Sequence, residues 1–254
     1  NLVTIRPQRG LSRANIVYET LAEGGIARFL AIYSSEDLPK EIGPVRSARP
    51  YFVELANEYR SVYFHAGGSP QAVSLLKEIE TVENVDSILG GSPYFQRQKI
   101  ERATEHNLFI NPLLIALLFR DRDLKDEGIF EPWKFKSDPA LDKRPTIEQK
   151  VTIDFSSFSY EVEYRYDRAT NLYVRWNGGE PQKDELNGDP LSAKNVIVQY
   201  AKTKSIADGK GRLEITLVGE GRAQVFQDGR VIEGTWRKED ADARTRFYDG
   251  NDEE

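Results

Sequence analysis

The sequence predicts an α/β first half with a mostly parallel sheet, followed by a smaller, mainly antiparallel β-domain. Three observations carry this. Strand-like and helix-like segments alternate through the first half. Two of its helix starts combine a capping residue with proline. Beyond Ala140 the apolar pattern changes to short β-branched and aromatic runs separated by turn residues.

The first predicted strand is "RFLAIYS" (Arg28–Ser34), bounded by "EGG" before it and "SEDLPKEIGP" after it. From Pro50, apolar side chains at Tyr51, Phe52, Leu55, Ala56 and Tyr59 share one helix face. "SVYFHAGG" (Ser61–Gly68) reads as a second strand ending in paired glycines. "SPQAVSLLKEIE" then starts a helix, with Ser69 as N-cap and Pro70 at its first position. "NPLLIALLFRDR" repeats that logic with Asn111 and Pro112, on a helix apolar enough to predict that most of it is buried.

The proline- and charge-rich stretch Glu131–Lys150 predicts a boundary, with domains over residues 1–140 and 141–254. Seven strand-like segments follow, and Asp228-Gly229 reads as a two-residue hairpin turn. The pattern stops at "YDGNDEE", where a further hairpin partner is expected, so the β-domain reads as truncated or disordered at its end.

Composition narrows the function. The chain has 254 residues, a net charge of -6 and 39% hydrophobic residues, enough to build cores. Lys and Arg number 17 against 19 Asp and Glu through Ala140, and 18 against 22 beyond it. No half is basic, which argues against a nucleic-acid partner. With no cysteine, disulfides, thiolate metal sites and cysteine nucleophiles are excluded for these residues, a pattern that suits an extracytoplasmic protein. No apolar run is long enough to span a membrane. The absence of Met, at the start and throughout, predicts a trimmed fragment with methionine positions replaced or left out.

Three stretches gather polar residues at predicted strand ends, where α/β sheets hold their ligands. In "GPVRSARP", Arg46 and Arg49 precede a helix whose N-terminus favours anions, and their forked donors suit phosphate or carboxylate. Pairing with Glu19, Glu23 or Glu41 explains the same arginines structurally. In "HAGGSP", His65 ends a strand and Gly67-Gly68 permits close backbone approach. Ser69 reads chiefly as a cap, since neither a Walker loop nor G-x-S-x-G is present. "YFQRQKIERATEHNLF" adds Arg97, Arg102 and His106. The chain's two histidines, His65 and His106, lack metal-ligand spacing, so no metal site is predicted. The acidic run "DRDLKDE" lacks the glycine and distal glutamate of a calcium loop and reads as a solvated face.

"RPQRGLSRANIVYETLAEGGIARFLAIY", "EIGPVRSARPYFVELANEY", "HAGGSPQA" and "EHNLF" resemble the YerB-type family of bacterial lipoproteins, defined mainly as a domain of unknown function. "LSAKNVIVQYA" and "GEGRAQVFQDGRVIEGTW" resemble that family's smaller C-terminal domain. The resemblance implies an extracytoplasmic protein anchored to the bacterial membrane by a lipid, and brings no activity, cofactor or catalytic residues. A remoter likeness is to enzymes that transfer cell-wall polymers from polyprenyl pyrophosphate, which hold pyrophosphate with arginines and magnesium with carboxylates. Here no acidic residue is clearly paired with Arg46 or Arg49.

The preferred reading is a membrane-anchored protein that binds an anionic small molecule, a cell-envelope polymer or a partner protein. Its ligand would meet Arg28, Arg46, Arg49, His65, Gly67, Gly68, Ser69, Arg97 and His106, without a cofactor. The alternatives are an enzyme acting on phosphate esters or polyprenyl-linked polymer, with His65 or His106 as acid or base, and a scaffold whose β-domain docks a protein.

Overall fold

A computed structural model describes residues 1–126, 128 and 130–254. Glu127, at the end of the "DRDLKDE" run, lies outside the described residues. The chain forms two compact units. The first comprises Asn1–Glu19, Phe29–Phe130 and Asp184–Gly188; the second comprises Thr20–Arg28, Glu131–Lys183 and Asp189–Glu254.

The mostly parallel sheet expected of the first half is not formed. Among the described residues, strands β1 (Ile16–Leu21) and β2 (Ala27–Ile32) form a two-stranded sheet of their own. Their short link places Gly24 and Gly25 at φ 66° and 71°, left-handed values that turn the chain straight back. So brief a connection admits only antiparallel arms, because a parallel neighbour needs a long crossover. The predicted strand is therefore real but committed to a hairpin, and "EGG" is its turn. Among the described residues, only β3 (Val62–His65) and β4 (Glu83–Asp86) make a parallel ladder, of two strands. Two further strands of the first unit, β5 (Gln96–Arg97) and β6 (Leu108–Phe109), are short and antiparallel.

The helices begin at their prolines. Helix α1 (Pro50–Asn57) buries Tyr51, Phe52, Val53, Leu55 and Ala56. In α2 (Pro70–Glu78), Ser69 Oγ accepts from the Ala72 amide at 3.2 Å, a side-chain cap. In α3 (Pro112–Asp121), Asn111 Oδ1 accepts from Leu114 at 3.0 Å. The expectation that α3 is mostly buried fails. Only Leu118 is fully covered, and Leu113 is 82% exposed. Its apolar content is spread around the helix, so one stripe meets the core and the rest faces outward. That core joins Leu118 to Val85, Tyr94, Phe95, Leu108 and Ile110.

The second unit is antiparallel throughout its described ladders. One sheet orders β10 (Glu180–Pro181), β9 (Leu172–Asn177), β8 (Glu161–Asp167) and β7 (Lys150–Asp154), with β11 (Ser192–Ala193) also on β9. Another orders β12 (Asn195–Gln199), β15 (Gly219–Gln227), β16 (Arg230–Lys238) and β17 (Arg246–Asp249). β13 (Thr203–Ser205) and β14 (Leu213–Ile215) form a separate hairpin. Asp228 and Gly229 adopt φ 53° and 72°, the pair of left-handed residues that a tight β15–β16 turn demands. Val151, Tyr166, Tyr173, Val196 and Phe226 make its core.

Candidate functional site

The two arginine- and glycine-bearing stretches lie side by side. The Ala66 amide donates to Arg46 O at 3.1 Å, Ala48 to Gly67 O at 2.8 Å, and Ser69 to Ala48 O at 3.2 Å. The chain entering α1 thus runs parallel to the chain entering α2, as a backbone extension of β3.

At the Gly-Gly strand end, the protein supplies its own anion. Asp86, 4% exposed at the end of β4, accepts from the amides of Gly67 at 2.8 Å and Ile88 at 3.0 Å. Gly67 holds φ 61°, which aims its N–H at that carboxylate. His65 is 1% exposed, and both ring nitrogens are engaged. Nδ1 is 2.8 Å from the Gly67 carbonyl and Nε2 is 2.7 Å from the Asn84 side chain, while the ring stacks on Tyr63. Gly68 pairs with Ala48 in a parallel bridge, and Ser69 is the buried cap of α2.

Three of the named residues meet elsewhere, on the loop that β5 and β6 close. The Gln98 amide donates to Asn107 O at 2.8 Å, pinning the loop's base. Next to that base, the 3-10 turn Thr104–His106 offers successive carbonyls to two arginines. Arg97 Nη1 donates to Thr104 O at 2.5 Å and to Asn107 Oδ1 at 2.8 Å. Arg46 Nη1 donates to Glu105 O at 2.5 Å and lies 2.6 Å from His106 Nδ1. A guanidinium only donates, so Nδ1 accepts and the imidazole proton sits on Nε2. Partial burial, then the Arg46 charge, holds His106 below the 6.5 of a free imidazole. Two guanidinium groups are therefore moored to adjacent carbonyls beside a neutral histidine. Arg97 is exposed, and no carboxylate among the described residues is ion-paired with it.

The other two arginines make their described contacts with other residues. Arg49 is the N-cap position of α1, and its Nη1 donates to Ala48 O at 2.6 Å. Arg28 belongs to the second unit and pairs there with Glu23 at 3.3 Å.

Sequence reasoning missed a second charged cluster in the first unit. Arg9 bonds Glu41 and, at 2.9 Å, Glu185; Arg102 bonds Glu185 at 3.0 Å; Gln98 bonds Glu41. The arginine spacing of "RPQRGLSR" and the acid pair in "KDELNGD" are the traces it leaves in the sequence. Nothing local connects residues so far apart in the chain.

Comparison with known proteins gives the chain its relatives. Residues 1–125 match the N-terminal domain, and residues 151–254 the C-terminal domain, of a protein of unknown function, DUF3048. The chain is 34% identical over 233 residues to the "Putative lipoprotein YerB" of Bacillus subtilis (strain 168), spanning 92% of this chain and 69% of that protein. It superposes on the crystal structure of the YerB protein from Bacillus subtilis with a TM-score of 0.84 and 31% identity, covering 100% of this chain and 83% of that one. With both family domains in order and this likeness across nearly the whole chain, the protein belongs to the YerB-like DUF3048 family.

Proposed function

We propose that this protein works outside the cytoplasm, held to the membrane by a lipid anchor, and binds an anionic group of the cell envelope through Arg46, Arg97 and His106. The location is supported by its relative's description as a lipoprotein. The binding reading rests on one observation: Arg46 and Arg97 both donate to neighbouring carbonyls of one turn, which brings two guanidinium groups together there. Cations already immobilised lose less freedom when a phosphate or carboxylate arrives, and a forked donor suits both anions. The neutral His106 adds an Nε2–H donor. Binding is the whole of the proposal, and no reaction is assigned.

The test is a thermal-shift and calorimetric titration with inorganic pyrophosphate and with a poly(glycerol phosphate) chain. The parent is expected to shift upward and the Arg46→Lys/Arg97→Gln variant to shift far less. Lysine keeps a donor to the turn, so loss of response is not loss of fold. Equal shifts in the two proteins would sink the proposal.

A further inference from the structure

We propose that Arg9, Gly10, Ser12 and Arg102 form a receptor for an acidic peptide, which the chain fills in cis with its own Asp184–Glu185 pair. This goes beyond the anion site at the 104–106 turn and uses none of its residues. The contacts are specific to two consecutive carboxylates. Glu185 is split between arginines, one oxygen taking Arg9 Nη2 at 2.9 Å and the other Arg102 Nη2 at 3.0 Å. Asp184 faces the backbone instead. Its Oδ1 accepts from the Gly10 amide at 3.1 Å, and its Oδ2 from the Ser12 amide and hydroxyl, both at 2.9 Å. The Glu185 amide then donates to Gln8 O at 2.9 Å, fixing the direction of the peptide. Gly10 holds φ 88°, and a Cβ there would lie 2.6 Å from the Glu41 carbonyl, so the receptor needs glycine at that point.

Segment Asp184–Gly188 behaves as a ligand would. It is separated by many residues from everything else in the first unit. Its turn closes on itself, Gly188 N donating to Asp184 O at 2.9 Å, and Lys183 pairs with Pro190 at its base. These bonds shape the loop without involving Arg9 or Arg102. No apolar anchor holds it: Leu186 is 40% exposed, and Asn187 and Gly188 are exposed. The hold is charge-assisted hydrogen bonding, which salt weakens and which an equivalent acidic peptide reproduces. The receptor also has donor capacity to spare. Arg102 Nη1 is buried with no hydrogen-bond partner among the described residues. Burial alone would raise the Glu185 carboxyl, yet Arg9 and Arg102 outweigh it and keep the group below its ordinary range, so it stays ionised in place.

The test uses the full chain carrying Asp184→Asn/Glu185→Gln and a fluorescein-labelled peptide of residues 183–189, read by anisotropy. The variant is expected to bind the peptide at least about tenfold more tightly than the parent, whose own loop competes. The same peptide with Asn and Gln in place of its Asp-Glu pair is expected not to bind, and adding Arg102→Gln to the variant is expected to remove binding. A variant that melts cooperatively yet binds no better than the parent overturns the proposal, as does equal binding of the uncharged peptide. Should the variant not fold, hydrogen exchange on the parent decides. The Glu185 amide is expected to exchange roughly tenfold faster at high salt while the Val85 amide does not change. An unchanged Glu185 rate overturns the proposal.

Discussion

Two regions of the first unit began from the same kind of sequence signal and ended differently. At the strand end His65–Ser69, glycines, a histidine and a helix N-terminus are turned inward, and Asp86, Asn84 and Ser69 take up their hydrogen bonds. At the 104–106 turn, Arg46, Arg97 and His106 are partly or fully exposed and held by backbone carbonyls. The contrast follows from donor and acceptor supply. Amides of a strand end can be satisfied by one neighbouring carboxylate, whereas a guanidinium carries five donors and a carbonyl uses only one. Buried polar groups find partners within the fold, whereas the exposed Arg97 keeps donor capacity at the surface.

Breaking the closed region should cost most. Asp86→Ala removes a buried carboxylate that accepts two amides, leaving both unpaired, and should destabilise by about 3 kcal/mol in urea unfolding. A cost within about 0.5 kcal/mol would mean that water replaces it and that the pocket is more open than its burial implies.

Gly67→Ala comes next, at about 1–2 kcal/mol. It forces an L-residue to φ 61° and sets a Cβ 2.9 Å from Ile88 Cδ1, a flexible neighbour able to give way. Ser69→Ala should cost about 1 kcal/mol through loss of the α2 cap, with Asn111→Ala as the matched control on α3. A much larger cost for serine alone would point to a role beyond capping.

In the open region the effects on stability should be small and their signs informative. His106 has its folded pKa below that of the unfolded chain, so as pH falls below about 6.5 the unfolded chain takes up the proton first. That contribution to stability is present above pH 6.5 and is lost as pH falls towards the folded pKa. His106→Gln should flatten this limb of a Tm-against-pH curve, and an unchanged limb would refute the lowered His106 pKa. Arg97→Gln should change stability least, by under about 0.5 kcal/mol, because its contacts are solvent-exposed. Its effect should appear only in pyrophosphate titration.

Much of this was legible in local sequence. Ser69-Pro70 and Asn111-Pro112 start their helices where the cap pattern puts them, and Asp228-Gly229 makes its turn. These depend on a few adjacent residues. The sheet was misread because strand propensity says nothing about the partner: "RFLAIYS" forms a strand but pairs back across "EGG". The apolar content of α3 was likewise read as burial, although burial depends on what lies against each face.

The sequence by itself determined where helices start, where tight turns fall and which arginines, histidines and glycines stand at element ends, since capping energies and left-handed φ values are settled within a few residues. Only the tertiary structure decided who meets whom. It brought Asp86 to Gly67, Arg46 and Arg97 to one turn, and Glu185 to Arg9 and Arg102, 176 and 83 residues away in the chain. Such pairings are set by the global packing of apolar cores, which fixes where the chain returns; the charges then pair with whatever that return places within reach.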